Sequence, residues 1–238
     1  MEPLRTRQIL AYLKTKKTCS LKELMEKFNV SSATIHRDVE ALARRDAIER
    51  VRGGVVFNDA MTTKSMMNSA DYQERVVSNR REKVKIADAA LSRIHDGDIV
   101  FLDSSTTVYE LAVRMIHENF AHLSVVTNAI SVMHLFRKFP THWAMIGLGG
   151  NYDPQLNSIL GISAMEQLKS FNVTKAFMSC FGVDDQCATT NHERQAEILR
   201  QVIGTAAKSY LLADHTKIDR TGLYRFASRS AFSDVITD

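Results

Sequence analysis

Residues 20 to 56 constrain this chain more than any other stretch. In Ser20-Leu-Lys-Glu-Leu24, Ser and Glu stand three residues apart, the spacing of a capping box, at the head of a helix running through Lys27. Asn29 turns the chain, Ser31 or Ser32 caps a further helix reaching about Arg44, and Ala47 to Phe57 reads as two short strands pinched at Gly53-Gly54. Ahead of them, Ile9, Leu10 and Leu13 recur at helical spacing over residues 5–16. Helices, turn, helix and Gly-Gly hairpin in this order describe a winged helix-turn-helix, which lays one helix in the major groove of duplex DNA.

On a helical wheel with Ile35, Val39 and Leu42 facing inward, the outer face of the third helix carries Ala33, His36, Arg37, Glu40 and Arg44. Arg37 can bond guanine edges or phosphate, and Ser31, Ser32 and Thr34 at the helix start suit phosphate and base contacts. Lys22, Arg50 and Arg52 are placed to hold the flanking backbone. Charge is divided in the same sense. Residues 1–57 hold 12 Lys+Arg against 7 Asp+Glu, whereas the remainder holds 19 against 20. The whole positive excess therefore sits where phosphate would be met.

Residues 58–79 are polar and lack a strong apolar period, so they read as a linker, partly helical after Ala70. Beyond residue 80, helical patterns alternate with strands at 98–102, 123–127, 142–147, 174–179, 209–213 and 232–237. Continuous apolar strands separated by helices imply a mostly parallel α/β sheet covered on both faces. The expected domains are a winged helix-turn-helix over 1–57, a linker over 58–79 and an α/β domain over 80–238.

The chain's three cysteines, Cys19, Cys180 and Cys187, have no CxxC spacing, which excludes a disulfide framework and fits a reducing cytoplasm. Met1-Glu-Pro-Leu-Arg-Thr-Arg7 lacks the apolar core of a signal peptide, and no apolar run is long enough for a bilayer. The eight histidines show no ligand spacing. No metal, no cofactor and no membrane partner is expected.

Polar or Gly-rich segments fall at successive strand ends. Asp103-Ser104-Ser105-Thr106-Thr107 leaves a strand and opens a helix, where backbone N–H groups and hydroxyls make a seat for phosphate. Thr127-Asn128, Gly147-Leu-Gly-Gly150, Gly182-Val-Asp184 and Asp214-His-Thr-Lys217 end other strands. Ligands of open parallel sheets bind at such ends. A small-ligand pocket follows.

The run Arg5-x3-Ile9-x3-Leu13-x17-Ser31-x2-Thr34-Ile-His-Arg-Asp-Val39 resembles the signature of the DeoR family of bacterial transcription regulators. The resemblance extends through nearly the whole chain. It implies a C-terminal domain similar to ribose-5-phosphate isomerase that binds a phosphorylated sugar. On it, the phosphate loop maps onto Asp103, Ser104, Ser105, Thr106 and Thr107, the Thr-Asn element onto Asn128, and the Gly-Gly onto Gly149 and Gly150. Asp184 belongs to the same set, and Lys217 would be the cation facing the phosphate. Ser105 stands where the family commonly has Gly, and Gln195 and Leu199 where it often has Glu and Lys. The Asp103-Ser-Ser-Thr106 and Ser179-Cys-x-Gly-Val-Asp184 forms look more like the fucose-operon activator branch, which implies a deoxyhexose-type phosphate.

The expected function is regulation of a carbohydrate-utilisation operon, as repressor or activator, through a double-stranded DNA operator and a phosphorylated sugar effector. One winged helix reads few base pairs, so a homo-oligomer, dimer or tetramer, is expected on repeated half-sites. The alternative is a sugar-phosphate isomerase-like enzyme with a DNA-binding appendage. Against it, an isomerase needs a tuned general base, and Gln195 and Leu199 supply none. No catalytic residue is assigned.

Overall fold

The computed structural model describes residues 4–43, 48–51, 53–57 and 70–238, and the chain divides into two compact units, residues 1–67 and 68–238. The first unit runs α1 (Leu4–Lys16), β1 (Thr18–Ser20), α2 (Leu21–Phe28), α3 (Ser32–Ala43), β2 (Ile48–Val51) and β3 (Gly54–Phe57). Ile9 and Leu13 of α1, Leu24 of α2, Ile35, Val39 and Leu42 of α3, and Val55 of β3 are fully buried in one core. Spacings of three and four put these apolar residues on one side of each helix.

Local detail departs from the sequence reading in three places. Ser20 Oγ accepts the Glu23 N–H at 3.2 Å, but the Glu23 carboxylate does not return to Ser20. Tyr12 Oη donates to it at 2.8 Å, and Lys16 pairs with it, so this half of the capping box binds α2 to α1. The hairpin register pairs Val51 with Gly54, and Gly53, at φ +84°, takes the left-handed conformation. Gly54 opens β3, where a Cβ would stand 2.6 Å from the Cys19 carbonyl oxygen. That contact belongs to β1, a short strand with no apolar alternation to announce it, which pairs antiparallel with β3.

In the second unit, α4 (Ala70–Val77) and α5 (Arg80–Leu91) precede an alternation of strands and helices. Residues 70–77, in the stretch expected to be a linker partly helical after Ala70, are helical, and Tyr72 is buried there with its hydroxyl bonded to Ser131 Oγ at 2.7 Å. There follow β4 (Ile99–Leu102), α6 (Thr106–Met115), β5 (Ser124–Thr127), α7 (Ile130–Leu135), β6 (Ala144–Gly147), β7 (Asn151–Asp153), β8 (Ser158–Leu160), α8 (Ile162–Leu168) and β9 (Lys175–Met178). β10 (Gly182–Val183), β11 (Cys187–Thr190), α9 (Glu193–Thr205), β12 (Lys208–Leu212), β13 (Tyr224–Ser228) and β14 (Asp234–Ile236) complete it.

Six strands form one parallel sheet in the order β14-β12-β9-β4-β5-β6. Alternation within the strands divides the core. Val100, Leu102, Phe177, Tyr210 and Leu212 pack with α5, α6 and α7 through Ile86, Leu111 and Val132. Phe101, Ala176, Met178 and Leu211 pack on the other face with Ala164, Leu168, Leu199 and Val202 of α8 and α9. Both faces are covered, which is why the strands are apolar throughout. Two additions were not foreseen: the antiparallel β7–β8 hairpin and the antiparallel sheet β10-β11-β13.

Candidate functional site

In the first unit, Lys22, Ser31, Ser32, His36, Arg37 and Arg50 are exposed and Thr34 is half-buried. Ser31 precedes α3, its carbonyl accepting the Ile35 N–H at 3.0 Å and its hydroxyl 2.9 Å from that of Thr34. Ser32, Ala33, His36, Arg37 and Glu40 occupy the exposed side of α3, away from the buried Ile35, Val39 and Leu42. Hydroxyls at the positive end of this helix, with Arg37 one turn on, can meet phosphates and base edges together. The neighbouring carboxylate is turned away. Asp38 is buried and accepts from Arg5 Nε at 2.6 Å and from the Arg5 terminal nitrogen at 3.3 Å, fastening α3 to α1. Arg44 and Arg52 lie outside the described residues.

The second site arises from strand order. From β4 the chain builds outward through β5 and β6, then returns to β9 and builds through β12 to β14 on the other side. The loops leaving β4 and β9 therefore diverge at their carboxyl ends and open a crevice. A cavity of about 390 Å³ lies there, its walls including Ser105 and Thr106 at the start of α6 and Ser179 and Cys180 after β9.

Asp103 sets this geometry from beneath. Its buried carboxylate accepts the Ser105 N–H at 2.8 Å and the Ser179 N–H at 2.9 Å, joining the two loops. Burial raises its pKa above the ordinary carboxylate value, and those hydrogen bonds oppose the shift. Ser105 caps α6, its Oγ accepting the Val108 N–H at 3.2 Å. Ser179 Oγ donates to the Leu212 carbonyl at 2.5 Å and accepts from Lys217 Nζ at 2.8 Å. The ammonium is thus held at the carboxyl ends of β9 and β12, where it lines the crevice.

Among the described residues, four cationic side chains line the cavity (Arg75, Lys83, Lys217 and Arg220) against one carboxylate, Asp214. Arg220 stacks over Phe181, 4.3 Å from the ring centroid. Lys83 is only 4% exposed, and burial lowers its pKa to about 8, with the nearby Lys217 acting in the same direction. Thr190, Asn191, His192 and Gln195 add polar groups to the lining. A positive helix end, several cations and a set of amide and hydroxyl groups lining one cavity suit a ligand with a phosphate and a polyhydroxyl body. Cys180 adds no nucleophile, because burial pushes its thiol up to about 12.

Of the residues mapped from the sequence, Ser105, Thr106 and Lys217 line the cavity, and Asp103 supports it. The others lie off its lining. Ser104 and Thr107 are buried, and the Thr107 hydroxyl finds no partner among the described residues. Asn128 Nδ2 donates to Ser158 Oγ at 2.8 Å and to the Ile159 carbonyl at 3.2 Å, which fixes β8 to the end of β5. Gly149 donates its N–H to Gln167 Oε1 at 3.0 Å, and Gly150 turns toward β7. Asp184 accepts the Gln186 and Cys187 N–H groups at 2.8 Å each and closes the β10–β11 turn, and these bonds lower its pKa.

Sequence reading missed Arg75, Asn79, Lys83, Thr190, Asn191 and His192. For Lys83 a signal existed: it shares the spacing of Ile86, Ala87 and Ala90, all buried on one face of α5. A lysine in that series is either buried with partners or misplaced. Thr190 bonds Gln195, with 2.5 Å between their side-chain oxygens, while Leu199 is simply core. Among the described residues no group of His, Cys, Asp or Glu could hold a metal ion, and no helix is long and apolar enough to cross a membrane.

Comparison with known proteins bears on both units. Residues 5–61 match the family described as the DeoR-like helix-turn-helix domain, and residues 78–238 match the DeoR C terminal sensor domain. The chain is 32% identical over 230 residues to the HTH-type transcriptional repressor GlcR of Bacillus subtilis, spanning 97% of this chain and 86% of that one. It is 28% identical over 234 residues to the lactose phosphotransferase system repressor of Lactococcus lactis, spanning 98% and 90%. A solved ribose 5-phosphate isomerase A from Methanocaldococcus jannaschii superposes with a TM-score of 0.42 at 16% identity, over 59% of this chain and 55% of that one.

Proposed function

Because the chain belongs to the DeoR family of DNA-binding transcriptional regulators, we propose that it represses a carbohydrate-utilisation operon and that a phosphorylated sugar in the β4–β9 cavity controls its hold on the operator. The observation that carries this reading is the meeting of the α6 N-terminus with Lys217 and Lys83 at the crevice between the ends of β4 and β9. The phosphate would lie against Ser105, Thr106 and Lys217, and the sugar hydroxyls against Thr190, Asn191, His192 and Gln195. Repression is favoured over activation because two relatives, GlcR and the lactose phosphotransferase system protein, are repressors. The second of them also supports a carbohydrate operon. Matches to regulator domains over both units set aside an isomerase with a DNA-binding appendage.

On the DNA side, α3 enters the major groove, with Arg37 and His36 toward base edges and Ser31, Ser32, Thr34, Lys22 and Arg50 toward the backbone. A homo-oligomer places two or more such helices on repeated half-sites. The ligand acts by binding one subunit arrangement more tightly than another. A thermal-shift screen against phosphorylated pentoses, hexoses and deoxyhexoses tests the reading. At least one compound should raise the melting temperature and change operator affinity, and a panel without such a compound contradicts it.

A further inference from the structure

The end of α4 is at once a helix terminus and a wall of the cavity. Arg75, Ser78, Asn79 and Lys83 all line it. Eight residues make a helix too short to persist alone in water, so α4 depends on what holds it. Tyr72 is anchored at Ser131, and an Arg75 guanidinium nitrogen donates to the Gln155 carbonyl at 3.0 Å. Lys83 Nζ donates to the carbonyl oxygens of Arg75 and, at 2.6 Å, of Ser78. Between α4 and α5, Asn79 takes a left-handed conformation at φ +48°. Its amide donates to Asp214 Oδ1 at 3.4 Å and Thr216 Oγ1 at 3.2 Å, on the turn that carries Lys217.

An ammonium has three donors and no acceptor. Two of Lys83's donors close the end of α4. A cation at that end also complements the helix dipole. We propose that α4 relays occupancy of the cavity, with Lys83 as the joint: an anionic ligand accepts the third N–H of the ammonium while the other two hold the carbonyl oxygens that end α4. The ligand compensates the buried charge, strengthens both carbonyl bonds and orders the helix. The lowered pKa of Lys83 agrees with an ammonium whose burial is incompletely compensated by the chain's own carboxylates. In chain order α4 is the first described element after residues 1–67.

This inference rests on the reading of the cavity as a phosphate seat, and one experiment separates the two. Amide hydrogen exchange is followed on the full chain with and without saturating inorganic phosphate, in wild type and in Lys83→Met. Slowed exchange at residues 104–108 reports occupancy of the seat, and slowed exchange at 70–78 reports the relay. Wild type should slow at both, the second by about threefold or more, while Lys83→Met should lose the response at 70–78. Slowing at 104–108 with 70–78 unchanged in wild type overturns the relay and leaves the seat standing. An equal response at 70–78 in Lys83→Met removes Lys83 as the joint. No slowing at 104–108 overturns the seat and the relay together.

Discussion

Asp103 accepts the Ser179 N–H at 2.9 Å across the boundary between β4 and β9, with the Ser105 N–H on its other oxygen at 2.8 Å. One side chain thereby fixes the two loops from which a cavity wall is built. Asp103→Ala leaves both buried N–H groups unpaired, at a cost of about 1–3 kcal/mol each. The melting temperature of the purified protein should fall, and any sugar-phosphate stabilisation should fall with it. A variant that melts like wild type would show that the loops hold their places without this carboxylate.

Arg5 and Arg37 separate support from recognition. Arg37 is exposed on α3, whereas Arg5 pairs with the buried Asp38 beneath it. Arg37→Ala should weaken operator binding by about 1–3 kcal/mol and relax base preference at one position, if its contact is bidentate. Arg5→Ala should lower the thermal stability of the N-terminal unit and weaken all DNA sequences alike. Competition binding against single-base operator variants distinguishes the two patterns. Unchanged preference in Arg37→Ala would remove it from base reading.

The N-terminal unit was legible because each helix states its buried face within a few residues, as Ile35, Val39 and Leu42 do. The parallel sheet was legible because strands covered on both faces are apolar without interruption. β7, β8, β10 and β13 were not. They are short and mixed in polarity, and their pairing depends on distant partners, as when Thr190 of β11 opposes Tyr224 of β13. Of the site, the segment at the head of α6 could be read from its Ser and Thr run and from Lys217. The wall formed by Arg75, Asn79 and Lys83 was not read, although the spacing of Lys83 marks it as buried, because the wall itself exists only once α4 and α5 fold against the strand ends. Gly182 illustrates the same limit: a Cβ there would lie 2.1 Å from the Arg220 carbonyl oxygen, a contact 38 residues away in sequence.

Lys83 provides a pH signature. Its pKa is lowered to about 8 from 10.5, burial being the main cause, with Lys217 and Arg75 adding to it and Asp214 and Glu110 opposing it. Between these values the unfolded chain binds the proton more tightly, so this residue's contribution to stability rises with pH from about 8 to 10.5 and is flat below. Binding of an anionic ligand has the opposite trend, weakening as pH rises through about 8, because it needs the ammonium. Calorimetric titrations at several pH values, in wild type and Lys83→Met, should show the step only in wild type. An identical step in Lys83→Met would assign it to another group.

The central claim is that a phosphorylated sugar in the β4–β9 cavity sets operator affinity. Its most direct measurement is fluorescence-anisotropy titration of an operator that the protein itself selects from random duplex DNA. The titration is run in wild type and Lys217→Met, with and without the sugar phosphate that stabilises wild type. Operator affinity of wild type should change by about 5-fold or more with ligand, and Lys217→Met should show no change at the same ligand concentration. An equal response of Lys217→Met at that concentration would contradict the account.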